Sequence, residues 1–340
     1  MTIGIEAFTG PEQEWDTFAA KQHGYTHFHR LRWRAVVQRV LGHECIYLAA
    51  RDGAELVGVL PLVRVRSLLF GHYLVSMPFL NYGGPLGSRD AVRALVDAAV
   101  DLAQHGNVKL LEMRSREPLD IDLPVSHRKI TVVLDLPSTS QKLFNAFDPN
   151  LRRKIRKRQK IGVTVEFGHE QLEPFFAVFA RNMRDLGTPT QPLALFREIA
   201  NQFPEDCWFS CAYFDGKPVA GGCGFRFDKE FEMTWVSSLR AYHREAPNLL
   251  LYWACMERAI QEGLTTFNFG RCSPGGGTHR FKLQWGGREV PLWWYAHAAS
   301  TDTITPSPTQ GPYRWGPSIW KRIPVSIATA VGPQIVRYIP

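Results

Sequence analysis

A long, faint repeat runs through the chain and sets its architecture. At an offset of 163 residues Trp33 recurs as Phe196, Ala49 as Ala212, Asp52-Gly53 as Asp215-Gly216 and Gly58 as Gly221. Each copy reads as a helix, a strand, a turn and a second strand. The Asp-Gly pair supplies the positive φ that a tight hairpin needs. Further on the offset becomes 157, and GNVKLLEMR (106–114) lies over GLTTFNFGR (263–271), matching Gly106 with Gly263 and Arg114 with Arg271. Before each lies an apolar helical pattern, 90–105 and 247–262, and Pro247 fits a first helical position. The glycine is expected to end each helix as a left-handed residue, with a buried strand following. Two matched blocks in the same order predict two copies of one α/β unit with mixed sheets. The halves run 1–137 and 138–300, and a Pro-rich, mildly basic tail fills 301–340. One large α/β domain with two similar hairpins is the alternative.

Length and composition agree with this. A chain of 340 residues suits about two domains. With 45% hydrophobic and 21% charged residues it is neither disordered nor collagen-like, and it can bury a core without disulfides. The six cysteines form no CxxC pair, which fits buried thiols in a reducing cytosol. No cluster of Cys and His has zinc-binding spacing, so no metal site is expected. The N-terminal MTIGIEAFTGPEQEW lacks the basic and apolar regions of a signal peptide, and no run of about 18 uncharged apolar residues occurs. The expected location is cytoplasmic, with peripheral contact at the inner membrane face through the tail.

The net charge of +8 is local. Seven cations and no acid fall within Leu151–Lys160, and the tail 301–340 adds four cations against Asp302, which leaves the rest of the chain at −2. The segment carries Arg152, Arg153, Lys154, Arg156, Lys157, Arg158 and Lys160, with Leu151, Ile155 and Ile161 on one apolar edge at helical spacing. Such a helix repels itself unless an anion is present. The functional reading is a strip for a phosphate backbone or pyrophosphate, with Arg152, Arg153, Arg156 and Lys157 as its contacts. The bland reading is a solvated face. Phe144 and Phe147 nearby either stack on bases or belong to the core.

Other candidates follow the strand that ends at Arg271. Gly275, Gly276 and Gly277 let backbone approach a ligand and aim N–H groups at it, or simply make a flexible loop. Arg271 holds a phosphate or carboxylate, or forms a structural ion pair. Its counterpart Arg114 reads as structural. His279 is a candidate base, since imidazole titrates near neutrality, and Arg280 beside it a phosphate contact. In the first half Asn81 and Tyr82, before Gly83-Gly84-Pro85, either line a ligand-admitting turn or belong to a plain one. Trp293 and Trp294 sit on opposite faces of a strand. In the tail 316–340 apolar residues mix with Trp320, Lys321, Arg322 and Arg337, and Pro324 and Pro333 limit it to short helices. It lies on an anionic membrane or packs on the body.

The order helix, hairpin, helix, strand over about 150 residues resembles the GNAT acyltransferase fold. Two such units resemble the FemAB family of aminoacyl-tRNA-dependent peptidyl transferases and their BioF2-like relatives. LRRKIRKRQKIGVTVE (151–166) resembles that family's basic helix and following strand. NLLLYWACMERAIQEGLTTFNFGRCSPGGGTHRFKLQWGG (248–287) resembles its helix, its FDFGR-like strand, its glycine loop and its F-K-x-x-W/F-G motif. LFGHYLVSMPFLNYGGPLG (69–87) resembles the branch found with exosortase/PEP-CTERM and exopolysaccharide gene clusters. The resemblance covers about residues 15–300 and implies transfer of a group to an amine. In the best-known members aminoacyl-tRNA donates to a peptidoglycan precursor, whereas BioF2-like members point to acyl-CoA. It implies Lys282 as the residue that stabilises the oxyanion or orients the donor, with Trp285 of the same motif among the substrate contacts.

The chemistry itself asks for a neutral amine, a positioned carbonyl and oxyanion donors, and no triad, because the donor is already activated. A CoA-using GNAT shows an R/Q-x-x-G-x-G/A turn for the pyrophosphate; residues 239–247 lack those glycines, though Arg240 and Arg244 remain to meet phosphates. Three functions are therefore carried forward. The first is aminoacyl transfer from tRNA to an amine of a phosphate-bearing or lipid-linked envelope or exopolysaccharide precursor. The second is CoA-dependent N-acylation of an amino-sugar or small amine. The third is non-catalytic polyanion binding on a GNAT scaffold. No bound cofactor is expected; the co-substrate is aminoacyl-tRNA or acyl-CoA.

Overall fold

Both Asp-Gly pairs close hairpins, and around them the chain builds two sheets. The computed structural model describes residues 3–67, 70–298 and 316–339. In chain order the strands are β1 (Ile3–Ala7), β2 (Glu44–Asp52), β3 (Glu55–Ser67), β4 (Gly71–Ser76), β5 (Leu86–Gly87), β6 (Leu110–Ser115) and β7 (Val125–Ser126). They continue with β8 (Ile130–Asp135), β9 (Thr164–Phe167), β10 (Cys207–Phe214), β11 (Lys217–Phe227), β12 (Glu230–Ser238), β13 (Thr266–Cys272), β14 (Arg288–Pro291) and β15 (Trp293–Ala298). The first sheet has the order β1-β2-β3-β4-β6-β15-β7, with β5 also paired to β3. The second reads β9-β10-β11-β12-β13-β8-β14. The two orders correspond strand for strand. In each, three antiparallel pairings lead to one parallel pairing (β4 with β6, β12 with β13), followed by an antiparallel one. The duplicated mixed α/β architecture expected from the repeat is present.

The strand inventory differs from a simple division of the sequence. β8 follows the first half's strands but pairs with β13, and β15 follows the second half's strands but pairs with β6. The compact units are accordingly Met1–Lys129 with Pro291–Ser307 and Val336–Pro340, and Ile130–Val290 with Pro308–Ile335. The physical reason is that β6 and β13 both need a partner along an open edge, and any apolar alternating strand satisfies that need. ITVVLD and WWYAHA both qualify, so their composition does not say which edge each will close.

Helices cover the sheets through ordinary apolar stripes. Helix Arg89–His105 buries Ala91, Val92, Leu95, Val96, Ala99 and Ala103, and the Ser88 hydroxyl accepts from the Ala91 amide at its N-terminus. The matched glycines mark close approaches. A Cβ on Gly58 would lie 2.9 Å from the Ala91 Cβ, and one on Gly221 would lie 3.1 Å from the Phe175 Cα in helix Leu172–Leu186. The helix ends differ from expectation in one copy. Gly263 is left-handed, with φ of 77°, after helix Pro247–Gln261, whereas after Arg89–His105 the left-handed residue is Asn107 (φ 50°) and Gly106 has φ of −88°. A Cβ on Gly106 would come within 2.8 Å of the Leu102 carbonyl oxygen, so this glycine answers to space rather than to handedness.

The tail, expected from residue 301, is described from 316; residues 301–315 lie outside the described residues. Helices Gly316–Trp320 and Val325–Val336 pack on the second unit, and Pro333 stands inside the latter instead of ending it. Gly187 backs onto Pro317, Gly332 backs onto Thr190, and Arg184 donates to the Ile323 carbonyl at 3.0 Å. All six cysteines are buried thiols. Among the described residues no helix is long and apolar enough to cross a membrane, and no group of three or more His, Cys, Asp or Glu is arranged for a metal.

The strand exchange makes a test available. Trp294 is buried beside β6, although its place in the chain is in the second half. Trp294→Ala is expected to cost about 3–5 kcal/mol. Amide exchange should lose protection at Leu110–Ser115 in the first sheet and leave Thr266–Cys272 unchanged; the opposite pattern would refute the pairing.

Candidate functional site

In the second sheet the parallel strands β12 and β13 pair only through Glu230–Glu232 and Thr266–Asn268. Beyond that point each continues with a partner on its outer side alone, so their C-terminal ends part. Gly270 takes φ of 70°, and the β13–β8 register slips between Asn268 and Arg271. This left-handed bulge re-aims the carbonyls of the strand end. Helix Gly277–Leu283 then returns Lys282 to them. The Lys282 Nζ donates to the Gly270 oxygen at 2.5 Å and to the Arg271 oxygen at 3.1 Å, with the residue 3% exposed. Burial lowers the lysine pKa to about 8; the nearby Arg271 also lowers it, while Cys272 and Glu232 oppose the shift. Two of the three ammonium protons are used, and one remains.

The strand end is held from below by a buried polar chain. Asn268 donates to Glu230 at 2.8 Å, and its Oδ1 accepts from the Thr131 hydroxyl at 2.5 Å and from the Gly270 amide at 2.9 Å. Glu232 is fully buried in the same strands. The sequence reading did not single out Glu230, Glu232, Asn268 or Thr131. A signal existed in EFEMTW, where acids two residues apart share one face of an otherwise apolar strand.

The repeat provides an internal control. Where the first sheet pairs Leu74 with Leu111, the second pairs Glu232 with Asn268; where the first sets Arg114 opposite Trp294, the second sets Arg271 opposite Thr131. Arg114 is buried, 2.7 Å from the Glu112 carboxylate, donates to the Leu80 carbonyl, and lies 4.4 Å over the Trp294 ring. Arg128 adds a second bond to Glu112 at 2.6 Å. Beyond the parallel pairing the first unit meets the Arg114 backbone with the Ser76 hydroxyl at 2.8 Å and the Gly83 amide at 2.9 Å. Tyr82, a candidate pocket residue, is fully buried against Phe28, and a Cβ on Gly83 would fall 2.4 Å from the Met77 Cγ. The Tyr82-Gly83-Gly84 turn is packed core, a correction to its reading as ligand-admitting.

The glycine loop is shorter than expected, because Gly277 already begins the helix. Gly275, with φ of 75°, is left-handed, and a Cβ on Gly275 or Gly277 would meet only open space. His279, read as a candidate base, has both ring nitrogens engaged. The Gly275 amide donates to Nδ1 at 3.0 Å, and Nε2 faces Glu289 at 3.0 Å. It therefore clamps the loop and has no nitrogen left for a substrate, and the exposed Arg280 adds one bond to the Gly275 carbonyl at 2.9 Å. Trp285 is buried among Phe147, Tyr252, Phe269 and Phe281, a core residue that forms the floor of a depression beside Leu134 and Phe147.

The basic segment is a helix, Pro149–Lys160, capped by Asp148, whose Oδ1 accepts from the Asn150 amide at 2.8 Å. Leu151 and Ile155 are buried, whereas Ile161, expected on the same edge, is 40% exposed because the helix has ended. Arg158 turns inward and donates to the carbonyls of Glu245 (3.1 Å) and Arg244 (3.3 Å), in the turn before helix Pro247–Gln261. The Arg244 side chain is exposed and Ala246 in that turn has φ of 41°, a conformation costly for a residue with a Cβ. Arg152, Arg153, Arg156, Lys157 and Lys160 line a depression of about 450 Å³ together with Pro149. Arg156 also covers the Phe144 ring at 5.1 Å, and Phe147 is core, so neither ring is laid open for base stacking.

The buried lysine makes a linkage prediction. Its folded pKa lies below its unfolded value of 10.5, so the unfolded chain binds more protons between the two. The stability of the wild type relative to Lys282→Met should rise by about 3 kcal/mol from pH 8 to 10.5. Denaturant unfolding of both proteins measures it; a flat difference would show that the lysine keeps its ordinary pKa in the folded protein.

Residues 146–283 match the acetyltransferase (GNAT) domain family. No curated protein matches the chain by sequence. Among solved structures it is similar to FemX, at 15% identity over 87% of this chain and 97% of that one, with a TM-score of 0.63. It is also similar to the C-terminal domain of a putative lysylphosphatidylglycerol synthetase from Agrobacterium fabrum (13% identity, 78% and 89% of the two chains, TM-score 0.54). A tandem GNAT protein from the clavulanic acid biosynthesis pathway resembles it as well (12% identity, 89% and 100%, TM-score 0.53). The chain has the double-GNAT fold, with the recognisable acetyltransferase domain in its second half.

Proposed function

We propose that the second unit transfers an aminoacyl group from aminoacyl-tRNA to an amine of a cell-envelope or exopolysaccharide precursor. The observation that carries this reading is the Lys282 ammonium, held on the Gly270 and Arg271 carbonyls where β12 and β13 part, with one proton unspent. The donor ester carbonyl sits at the parting of the strands. The neutral acceptor amine attacks the carbonyl carbon, the oxyanion takes the remaining Lys282 N–H, and the bond to the ribose oxygen breaks. The proton lost by the amine goes to that oxygen, so atoms and charge balance. Arg152, Arg153, Arg156 and Lys157 hold the phosphates of the donor. Support for an envelope acceptor comes from the fold shared with FemX and with a lysylphosphatidylglycerol synthetase, and from the exosortase/PEP-CTERM-like sequence of 69–87.

An acyl-CoA donor is the second reading, favoured by the acetyltransferase family match of 146–283. The turn at 239–246 weighs against it. It lacks the pyrophosphate glycines, and two of its carbonyls are taken by Arg158. Purified protein offered charged tRNA and acyl-CoA separately distinguishes the two by which donor is turned over. Turnover of acyl-CoA with no effect of tRNA would move the assignment to the second reading.

Lys282→Met should lower kcat by about 10²–10³, the usual effect of losing one oxyanion donor. In the wild type the rate should fall as pH rises through about 8, because the ammonium loses its proton there, and this limb should vanish in the variant. An unchanged kcat and profile would remove Lys282 from the mechanism. Arg153→Glu with Lys157→Glu should weaken aminoacyl-tRNA binding and lower the slope of log affinity against log salt by roughly 0.9 per cation. Binding that survives with its salt dependence intact would sink the assignment of the helix.

A further inference from the structure

We propose that the helix Val325–Val336 and the turn before it form a docking surface for an anionic lipid bilayer. The helix has no charged residue, and the described segment 316–339 has three cations, Lys321, Arg322 and Arg337, and no acid. Its inward stripe is small and matched to the protein, with Ala328 and Gly332 buried and Gly332 against Thr190. The stripe one residue ahead is the unusual one. Ile327 and Val331, four residues apart and on one side of the helix, are 49% and 44% exposed. The preceding helix adds Ile319 at 65%, and Leu186, next to the Gly187 that backs onto Pro317, adds 51%. These four, together with Val125 and Ile161, are the exposed large hydrophobic residues among those described, so two thirds of the set fall on the tail or the residue beside it.

Charge complementarity selects the occupant. Lys321 and Arg322 are exposed in the turn between the two helices, and the acid beside Leu186, Asp185, is already paired with Arg184 at 2.8 Å. An uncharged helix whose apolar side is open and whose start is marked by cations suits the headgroup boundary of an anionic leaflet, where each cation gains from the surface potential. Twelve residues span about 18 Å, too short for a bilayer core of about 30 Å, so the helix lies on the surface and does not cross it. The inference does not depend on the transfer chemistry and would stand if the donor were acyl-CoA.

Flotation of the full chain with vesicles tests it, using phosphatidylcholine with phosphatidylglycerol against phosphatidylcholine alone. The expected result is binding to the mixed vesicles only, reduced by salt. Lys321→Glu with Arg322→Glu and, separately, Ile327→Asp with Val331→Asp should each reduce the bound fraction about tenfold or more. These positions are exposed, and thermal unfolding of each variant shows whether the fold is kept; if the Asp pair unfolds, Ile327→Ser with Val331→Ser replaces it. Absence of flotation overturns the proposal, as does equal binding to neutral vesicles. So does binding abolished by Arg153→Glu with Lys157→Glu and untouched by the tail variants. Wild-type dimerisation that the Asp variant abolishes, without vesicle binding, would assign the face to a second copy of the chain.

Discussion

Two parallel strands that stop pairing after three residues leave a gap inside a sheet, and much of this molecule is organised by how that gap is closed. Backbone groups at such a parting need partners, and unpaired ones are costly when buried. The first unit closes its gap permanently. The Arg114 amide donates to the Ser76 hydroxyl and its carbonyl accepts from the Gly83 amide, while its side chain is neutralised by Glu112, roofed by Trp294 and tied to the Leu80 carbonyl. The second unit uses a lysine that comes from the following helix, satisfies two carbonyls and retains a proton. Both solutions bury a cation. Only the second buries one held by carbonyls rather than by a carboxylate, and burial lowers the pKa of that lysine.

The charge distribution follows the same division. The cationic helix Pro149–Lys160 belongs wholly to the second unit, and its members do separate tasks. Arg158 fixes the turn before helix Pro247–Gln261, whereas Arg152, Arg153, Arg156, Lys157 and Lys160 surround a depression without an acid. A cation spent on backbone carbonyls shapes the protein. Cations gathered without counter-charge raise the free energy of the unliganded state and fall to lower energy when a polyanion arrives. The helix therefore combines a fastening and an open cationic edge within twelve residues.

What the sequence disclosed was what local chemistry determines. The Asp-Gly hairpins and the amphipathic helices are short-range rules that hold in both copies, and Pro247 starts the helix in the second. What stayed hidden depends on long-range packing. Nothing in ITVVLD or WWYAHA tells which sheet edge each will close, so the exchange of β8 and β15 was not legible. Tyr82 in a Tyr-Gly-Gly-Pro turn has the composition of a ligand loop, but Met77 and Phe28 enclose it. His279 carries a general-base side chain, yet a backbone amide and Glu289 consume both its nitrogens. Lys282 was singled out through its motif, and Asn268 was not, because its bonds to Glu230 and Thr131 form only when β12, β13 and β8 lie side by side.

The central claim is that one unit carries both the phosphate-binding helix and the reacting centre. Hydrogen exchange of the full chain, with and without a tRNA bearing a stable 3′-amide in place of the aminoacyl ester, tests it most directly. The account predicts protection of 149–160 and of 270–285 in the same complex, with no change at Leu110–Ser115. Protection confined to the first unit, or protection of 149–160 with none at 270–285, would contradict it.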